Sequence, residues 1–238
     1  MSILPRLKAY YYEAQARLIK IWWDFFNRSC KMHCDVLMFH HVTDGYVDEI
    51  PSCHRTRREF IDTLQRRIDS GVEFICMDEV SNLVFNDGQG EYATVTFDDV
   101  PDNFLSDAYP ILKELKIPFT LFLTISYLDK PGYINKKDLA ALIADPLCTI
   151  GAHTLTHPML RKVKNSFEEI SESKKILEKL IGREVKYLAY PFGRPSSISH
   201  KITRQAKKAG FVLAFGTIFA PINKISKKSK FYLPRVID

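Results

Sequence analysis

Two carboxylates side by side and two imidazoles four residues apart are the side chains of this sequence best suited to chemistry. Asp98 and Asp99 follow the apolar run Ala93 to Phe97, and His153 and His157 follow the run Cys148 to Ala152. Neighbouring side chains diverge at a strand end, so one carboxylate of such a pair can bind a metal while the other faces a bound water. Taken alone, the pair could also cap a following helix. The His-x-x-x-His spacing lets two imidazoles meet one ion where the backbone turns, and Pro158 favours a looped turn over a continuing helix. Two imidazoles and one carboxylate leave positions open for water and substrate, which is the arrangement of a catalytic divalent-metal site. By contrast, Cys30-Lys31-Met32-His33-Cys34 lacks a second ligand pair and is not a zinc-site pattern.

These groups need a scaffold that gathers strand ends. From Asp35 onward, β-branched and aromatic runs alternate with helix-like stretches, the pattern of repeated βα units around a parallel sheet. Strands are expected at 36–41, 72–77, 93–97, 119–124, 148–152, 186–190 and 211–215, with a further candidate at 231–236. Thr56 with Glu59 and Ser166 with Glu169 have capping-box spacing, and Gly71 and Gly182 are placed to end those two helices. Further helices are expected at about 102–116, 135–144 and 197–209. The fold class is therefore α/β, a distorted (β/α) barrel of about seven parallel strands over residues 35–238. A separate amphipathic helix is expected within residues 1–30, where Leu7, Tyr11, Ala14, Leu18, Ile21, Trp22 and Phe25 recur at helical spacing. In such a barrel all strand carboxyl ends share one rim, which would bring His40 and His41, Asp98 and Asp99, His153, the string Pro191-Phe192-Gly193 and Arg235 together.

Three strings carry a family resemblance. Thr96-Phe97-Asp98-Asp99, His153-Thr154-Leu155-Thr156-His157-Pro158 and Tyr190-Pro191-Phe192-Gly193 resemble the first three motifs of the polysaccharide deacetylases, the NodB-homology or carbohydrate esterase family 4 group. That resemblance implies metal-dependent removal of acetyl groups from N-acetylated amino sugars in a polysaccharide, lipid-linked precursor or other glycoconjugate. It also implies Asp99, His153 and His157 as metal ligands, Asp98 as the catalytic base, and the Phe192 position as a backbone oxyanion donor, with Tyr190 and Arg235 on the oxyanion and substrate side. Zinc is the ion expected, with cobalt, nickel and iron as alternatives. No Leu-x-His string supplies the usual acid. Instead Val36-Leu37-Met38-Phe39-His40-His41-Val42 resembles the first strand of circularly permuted members such as the poly-N-acetylglucosamine deacetylases, which implies His40 as acid. Val100 stands where the family usually has Gly, Ala189 where it has Arg, and Phe215-Gly216-Thr217 where an acidic motif is expected. Leu233-Pro234-Arg235-Val236 resembles the closing string of the permuted members, so Arg235 is the expected substitute cation. Phe39, Phe104, Tyr127, Phe192 and Phe219 are candidates for stacking on a sugar. Competing readings are a hydrolase of a non-sugar amide on the same barrel and a catalytically inactive glycan-binding protein.

Composition narrows the setting. The chain has 238 residues, 46% of them hydrophobic, and a net charge of +6, which suits one folded domain of this size. Residues 1–150 carry 16 basic and 22 acidic side chains, whereas residues 151–238 carry 18 and 6. No reader motif accompanies that basic half, which argues against nucleic acid; solvated lysines on outer helices are the first reading of it, and attraction to an anionic precursor, glycan or lipid surface is the alternative. Residues 4–28 are broken by seven charged side chains, so they form neither a signal core nor a membrane span; packing on the domain is the first expectation for that helix, and docking on a membrane interface or a partner is the alternative. Five cysteines without a disulfide framework fit a reducing compartment, and a cytoplasmic enzyme is expected, peripheral at the inner membrane face under that alternative.

Overall fold

The computed structural model describes residues 32–45, 54–86, 88–223 and 229–237. The helix expected within residues 4–28, together with Cys30 and Cys53, lies outside them. Among the described residues no helix is long and apolar enough to cross a membrane.

Parallel strands form the main sheet in the order β1 (Met32–Phe39), β5 (Gly90–Asp98), β6 (Phe119–Leu123), β7 (Cys148–Ala152), β8 (Tyr187–Ala189) and β9 (Leu213–Phe215), with the short β4 (Glu73–Phe74) paired to the start of β5. A separate pair, β2 (His41–Val42) and β3 (His54–Arg55), continues from β1. The carboxyl-terminal segment completes the curl. Leu233 bridges Phe215 of β9 and Val236 bridges Leu37 of β1, so the candidate strand at 231–236 links the two ends of the sheet through single bridges. The helices are α1 (Arg57–Asp69), α2 (Met77–Phe85), α3 (Tyr109–Leu115, preceded by a π-turn at Phe104–Ala108), α4 (Lys136–Ile143), α5 (Ser166–Ile181) and α6 (His200–Lys208).

Strand alternation sorts side chains into two cores. Cys34 and Val36 of β1, Phe122 of β6, Ala189 of β8 and Phe215 of β9 pack together inside the curl, whereas Leu37, Phe39, Val95, Phe97 and Leu121 pack outward beneath the helices. Thr96 and Asp98 alternate with Val95 and Phe97 on β5 and therefore share the inner face with Val36. The register that hides Phe97 in the outer core is thus what points Asp98 inward. Burial pushes the Cys34 and Cys148 thiols up, so both behave as core residues rather than reactive thiols.

Two local expectations need correction. The strand at 72–77 is only Glu73–Phe74, because the Glu79 carboxylate accepts the Cys76 N–H at 2.8 Å and starts α2 at Met77. Thr56 and Glu59 do form the capping box of α1. The second box does not form: α5 is capped at Asn165 without a side-chain bond, and Glu169 is used elsewhere.

Candidate active site

Asp98 sits at the end of β5 with 2% exposure, and the fully buried Arg235 meets it as a two-pronged fork: Nη1 to Oδ1 and Nη2 to Oδ2, both 2.7 Å. Arg235 Nε donates to the Gly216 carbonyl at 3.1 Å and its guanidinium lies 5.6 Å from the Phe122 ring, so the fork is held from behind. Burial alone would raise the Asp98 pKa, but the charges of Arg235 and His153 and the Arg235 hydrogen bonds outweigh it and hold the carboxyl well below the usual range. Asp98 is therefore a fixed anion at neutral pH. His40 approaches the same carboxylate, Nε2 to Oδ2 4.0 Å, from the end of β1.

Asp99 breaks the strand. Its φ of +60° takes the chain out of the extended conformation, and Val100 follows at +55°, an uncommon geometry for a β-branched residue. The turn sends the Asp99 carboxylate toward the histidines, where Thr124 Oγ1 donates to its Oδ1 at 2.7 Å and Oδ2 lies 3.6 Å from His157 Nε2. His153 donates through Nδ1 to the Ala189 carbonyl at 2.8 Å, which leaves the Nε2 lone pair facing inward. His157 is held toward its neutral form, first by burial and then by the neighbouring His153, against the pull of Asp99 and Asp98. One ligand atom from each of Asp99, His153 and His157 falls within 4.8 Å of the others. Two converging imidazoles and one anchored carboxylate fit a divalent ion with open coordination positions.

The loop carrying these histidines is shaped by a residue that sequence reasoning placed in another role. Glu169, 4% exposed, accepts the Leu155 N–H at 3.1 Å, the Thr156 N–H at 2.9 Å and the Thr156 hydroxyl at 2.7 Å. Between these anchors Thr154 and His157 adopt φ of +71° and +59°, and the His157 N–H donates to Thr154 Oγ1 at 3.1 Å. The capping spacing of Glu169 was its only visible signal, and that spacing pointed to the helix instead of the loop.

The rim beyond the histidines is aromatic. Phe192, half exposed with φ of +60°, lies 5.1 Å from His157, and Tyr127 stacks on the other side at 5.9 Å with Tyr133 behind it at 4.5 Å. Tyr190 does not join this surface. Its ring is fully buried and its hydroxyl donates to the Phe231 carbonyl at 2.9 Å, so it supports the motif from beneath and does not line the substrate side. Phe39 and Phe104 are likewise core residues, each packed against Phe97. His41 lies beside Asn103, Nδ1 to Nδ2 3.2 Å, one position from the His40 approach to Asp98.

Comparison with known proteins agrees with this architecture. The family model for polysaccharide deacetylase matches residues 85–214. A putative polysaccharide deacetylase of Bacillus subtilis, YxkH, is 22% identical over 186 residues, covering 76% of this chain and 63% of its own. A poly-beta-1,6-N-acetyl-D-glucosamine N-deacetylase of Staphylococcus aureus is 27% identical over 160 residues, covering 60% of this chain and 53% of its own. The chain thus spans less than two thirds of the length of these curated relatives. A crystal structure of a polysaccharide deacetylase from Bacillus cereus superposes with a TM-score of 0.76 at 23% identity, over 86% of this chain and 64% of that one, and shows the same fold. With more than half of its length matched by the family model, including both ends of the Asp98 to His157 constellation, the chain belongs to the polysaccharide deacetylase family.

Proposed function

We propose that the protein is a metal-dependent deacetylase that hydrolyses the N-acetyl group of an amino sugar in a glycan or glycoconjugate. The observation that carries this reading is the convergence, on one rim, of the Asp99, His153 and His157 triad with an Arg-paired Asp98 and with His40. A zinc ion held by the triad would polarise the acetyl carbonyl and acidify a water. Asp98, kept ionised by Arg235, would accept a proton from the attacking water as the water oxygen bonds to the carbonyl carbon. The oxyanion would meet the Phe192 N–H, which belongs to a left-handed turn beside His157. His40, in its protonated form beside the Asp98 carboxylate, donates its proton to the sugar nitrogen as the carbon–nitrogen bond breaks, leaving acetate and a free amine. Tyr127 and Phe192 flank His157 and offer ring faces to a pyranose.

Acetate release from N-acetylglucosamine oligomers by zinc-loaded protein tests the reading. Asp99→Ala is expected to lose bound metal, and His40→Ala to keep the metal while turnover drops by about 10²–10⁴-fold. Full metal content in the first variant, or full turnover in the second, overturns the corresponding role. A cytoplasmic setting belongs to the same reading, supported by five cysteines whose spacing fits no disulfide framework. Peripheral membrane contact through residues 4–28 belongs to the same reading; an unchanged membrane fraction after deletion of residues 1–30 would count against it.

A further inference from the structure

The metal triad draws its side chains from the carboxyl ends of β5 and β7, while β6, which lies between those strands, supplies none of them. β6 ends at Leu123, and the next residue, Thr124, stands between the two ligand-bearing ends. Its backbone is fixed from the β7 side: the His153 N–H donates to the Leu123 carbonyl at 2.8 Å, and the Ile125 N–H donates to the Thr154 carbonyl at 3.2 Å. From the β5 side the Asp99 N–H donates to the Phe122 carbonyl at 3.1 Å. Thr124 is 2% exposed, and its hydroxyl reaches both neighbours, Asp99 Oδ1 at 2.7 Å and the His153 carbonyl at 3.3 Å. A hydroxyl has one proton to donate, and the shorter contact, to the charged acceptor, takes it. Oδ1 thus has its donor. Oδ2 is the oxygen turned to the imidazole, 3.6 Å from His157 Nε2.

We propose that Thr124 is a positioning residue of the metal site: by holding Oδ1 it fixes the rotation of the Asp99 carboxylate and commits Oδ2 to the ion. This role rests on the metal triad of the deacetylase reading and not on its substrate. Asp99 needs such a donor because its carboxylate is partly exposed, leaves the strand on a residue with φ of +60°, and carries two like oxygens that exchange by rotation about one bond. His153 has the corresponding partner in the Ala189 carbonyl at 2.8 Å. Partners that orient a ligand in this way are worth about 10–100-fold in metal affinity. The Thr124 methyl group has no part in this. Valine keeps the shape of threonine without the donor, and serine keeps the donor without the methyl, so the two substitutions separate a positioning role from a packing role.

Zinc affinity of the full chain, measured by competition with a chromophoric chelator, tests the role without turnover. T124V is expected to bind zinc about 10–100-fold more weakly than the parent, and T124S to bind it as the parent does. In the cobalt-loaded proteins the visible absorption bands, which report the ligand set, should shift in T124V and coincide with the parent in T124S. Should T124V fail to fold, T124A and T124S, which differ only by the hydroxyl oxygen, carry the same comparison, and equal zinc affinities in that pair overturn the role. So does parent-like affinity in T124V, or binding by T124S as weak as that of T124V, because the methyl group would then account for the loss. A parent chain that binds no zinc overturns both the role and the triad. Hydroxyl-dependent zinc binding without acetate release from N-acetylglucosamine oligomers would instead defeat the deacetylase reading and leave Thr124 in its role.

Discussion

Replacing Arg235 with methionine isolates the interaction on which the inner face of the barrel depends. The variant keeps an unbranched stem against Phe122 but removes both 2.7 Å bonds to Asp98 and the bond to Gly216. Taking one partner from a buried ion pair costs about 3–5 kcal/mol, because the surviving charge is left without compensation. For a domain of this size each kcal/mol moves Tm by about 2–4 °C, so a fall of roughly 6–20 °C at pH 7 is expected by thermal denaturation. The pH dependence carries the sharper test. In the parent protein Asp98 has a lowered pKa, so its contribution is fully present above the ordinary carboxylate pKa and is lost only as pH falls through the lower folded value. Without Arg235 the burial that now opposes ionisation has its main opponent removed, the folded pKa rises, and protonation relieves the variant as pH falls. The stability gap between parent and variant should therefore narrow from pH 7 to pH 4. R235M/D98N, which removes both charges, should be less destabilised than the sum of the single variants. A Tm within about 2 °C of the parent, or a gap that widens on acidification, would refute the assignment of Arg235 as the positioning residue for Asp98.

Glu169→Gln keeps the shape of the side chain but weakens the three bonds that set the histidine loop; metal affinity by chelator competition is expected to fall about 10–100-fold with the fold retained, and an unchanged affinity would show that the loop holds itself. Asp145, which precedes β7 whereas His153 follows it, accepts the Tyr109 hydroxyl at 2.6 Å, Lys113 Nζ at 2.9 Å and the Leu147 N–H at 2.9 Å. Burial opposes its ionisation, but these bonds win and lower its pKa, so its stabilisation is present above the unfolded carboxylate value and is lost as pH falls through the folded one. Asp145→Asn should accordingly lower the urea midpoint at pH 7 and lose less of its remaining stability than the parent on acidification; a midpoint difference that is constant with pH would contradict this.

The parallel barrel was legible because its signals are local and repeated: each core strand is an apolar run with a polar residue at its carboxyl end, and β7 spans the run Cys148 to Ala152 as expected. The convergence of the aspartate pair with the two histidines was legible for the same reason, since each directly follows such a run or lies one loop beyond it, whereas the choice of Asp99 over Asp98 as the candidate ligand came from the family resemblance. What escaped was decided by long-range partners. Glu169 has the spacing of a cap, yet Leu155 and Thr156 claim its carboxylate once the loop folds back over α5. Tyr190 stands in a motif string, yet alternation along the strand turns its ring into the core and toward Phe231. The expected strand at 72–77 yielded to Glu79, whose bond to the Cys76 N–H is local but lay past the end of the apolar run. Arg235 could be nominated from its string, but its burial followed only from the chain end closing β9 against β1.

Backbone strain marks the same boundary between scaffold and site. Asp99, Val100, Thr154, His157 and Phe192 all hold positive φ without being glycine, and all lie where strands β5, β7 and β8 give way to the rim. A left-handed conformation costs an L-residue about 1–2 kcal/mol, so five of them are a substantial fraction of the stability of a domain. Two of these turns are nevertheless anchored across the rim, Asp99 by Thr124 and the Phe192 carbonyl by the Thr217 hydroxyl at 3.1 Å, while Thr154 and His157 are bonded to each other within their own loop. Valine at position 100 is the most demanding case, because a β-branched side chain disfavours this geometry and its full burial leaves no room to relax. Such turns persist where surrounding structure over-determines them, and here they surround the place where Asp99, His153 and His157 come together. The rim is thus a place where the fold gives up stability to hold side chains that strand geometry alone would have pointed apart.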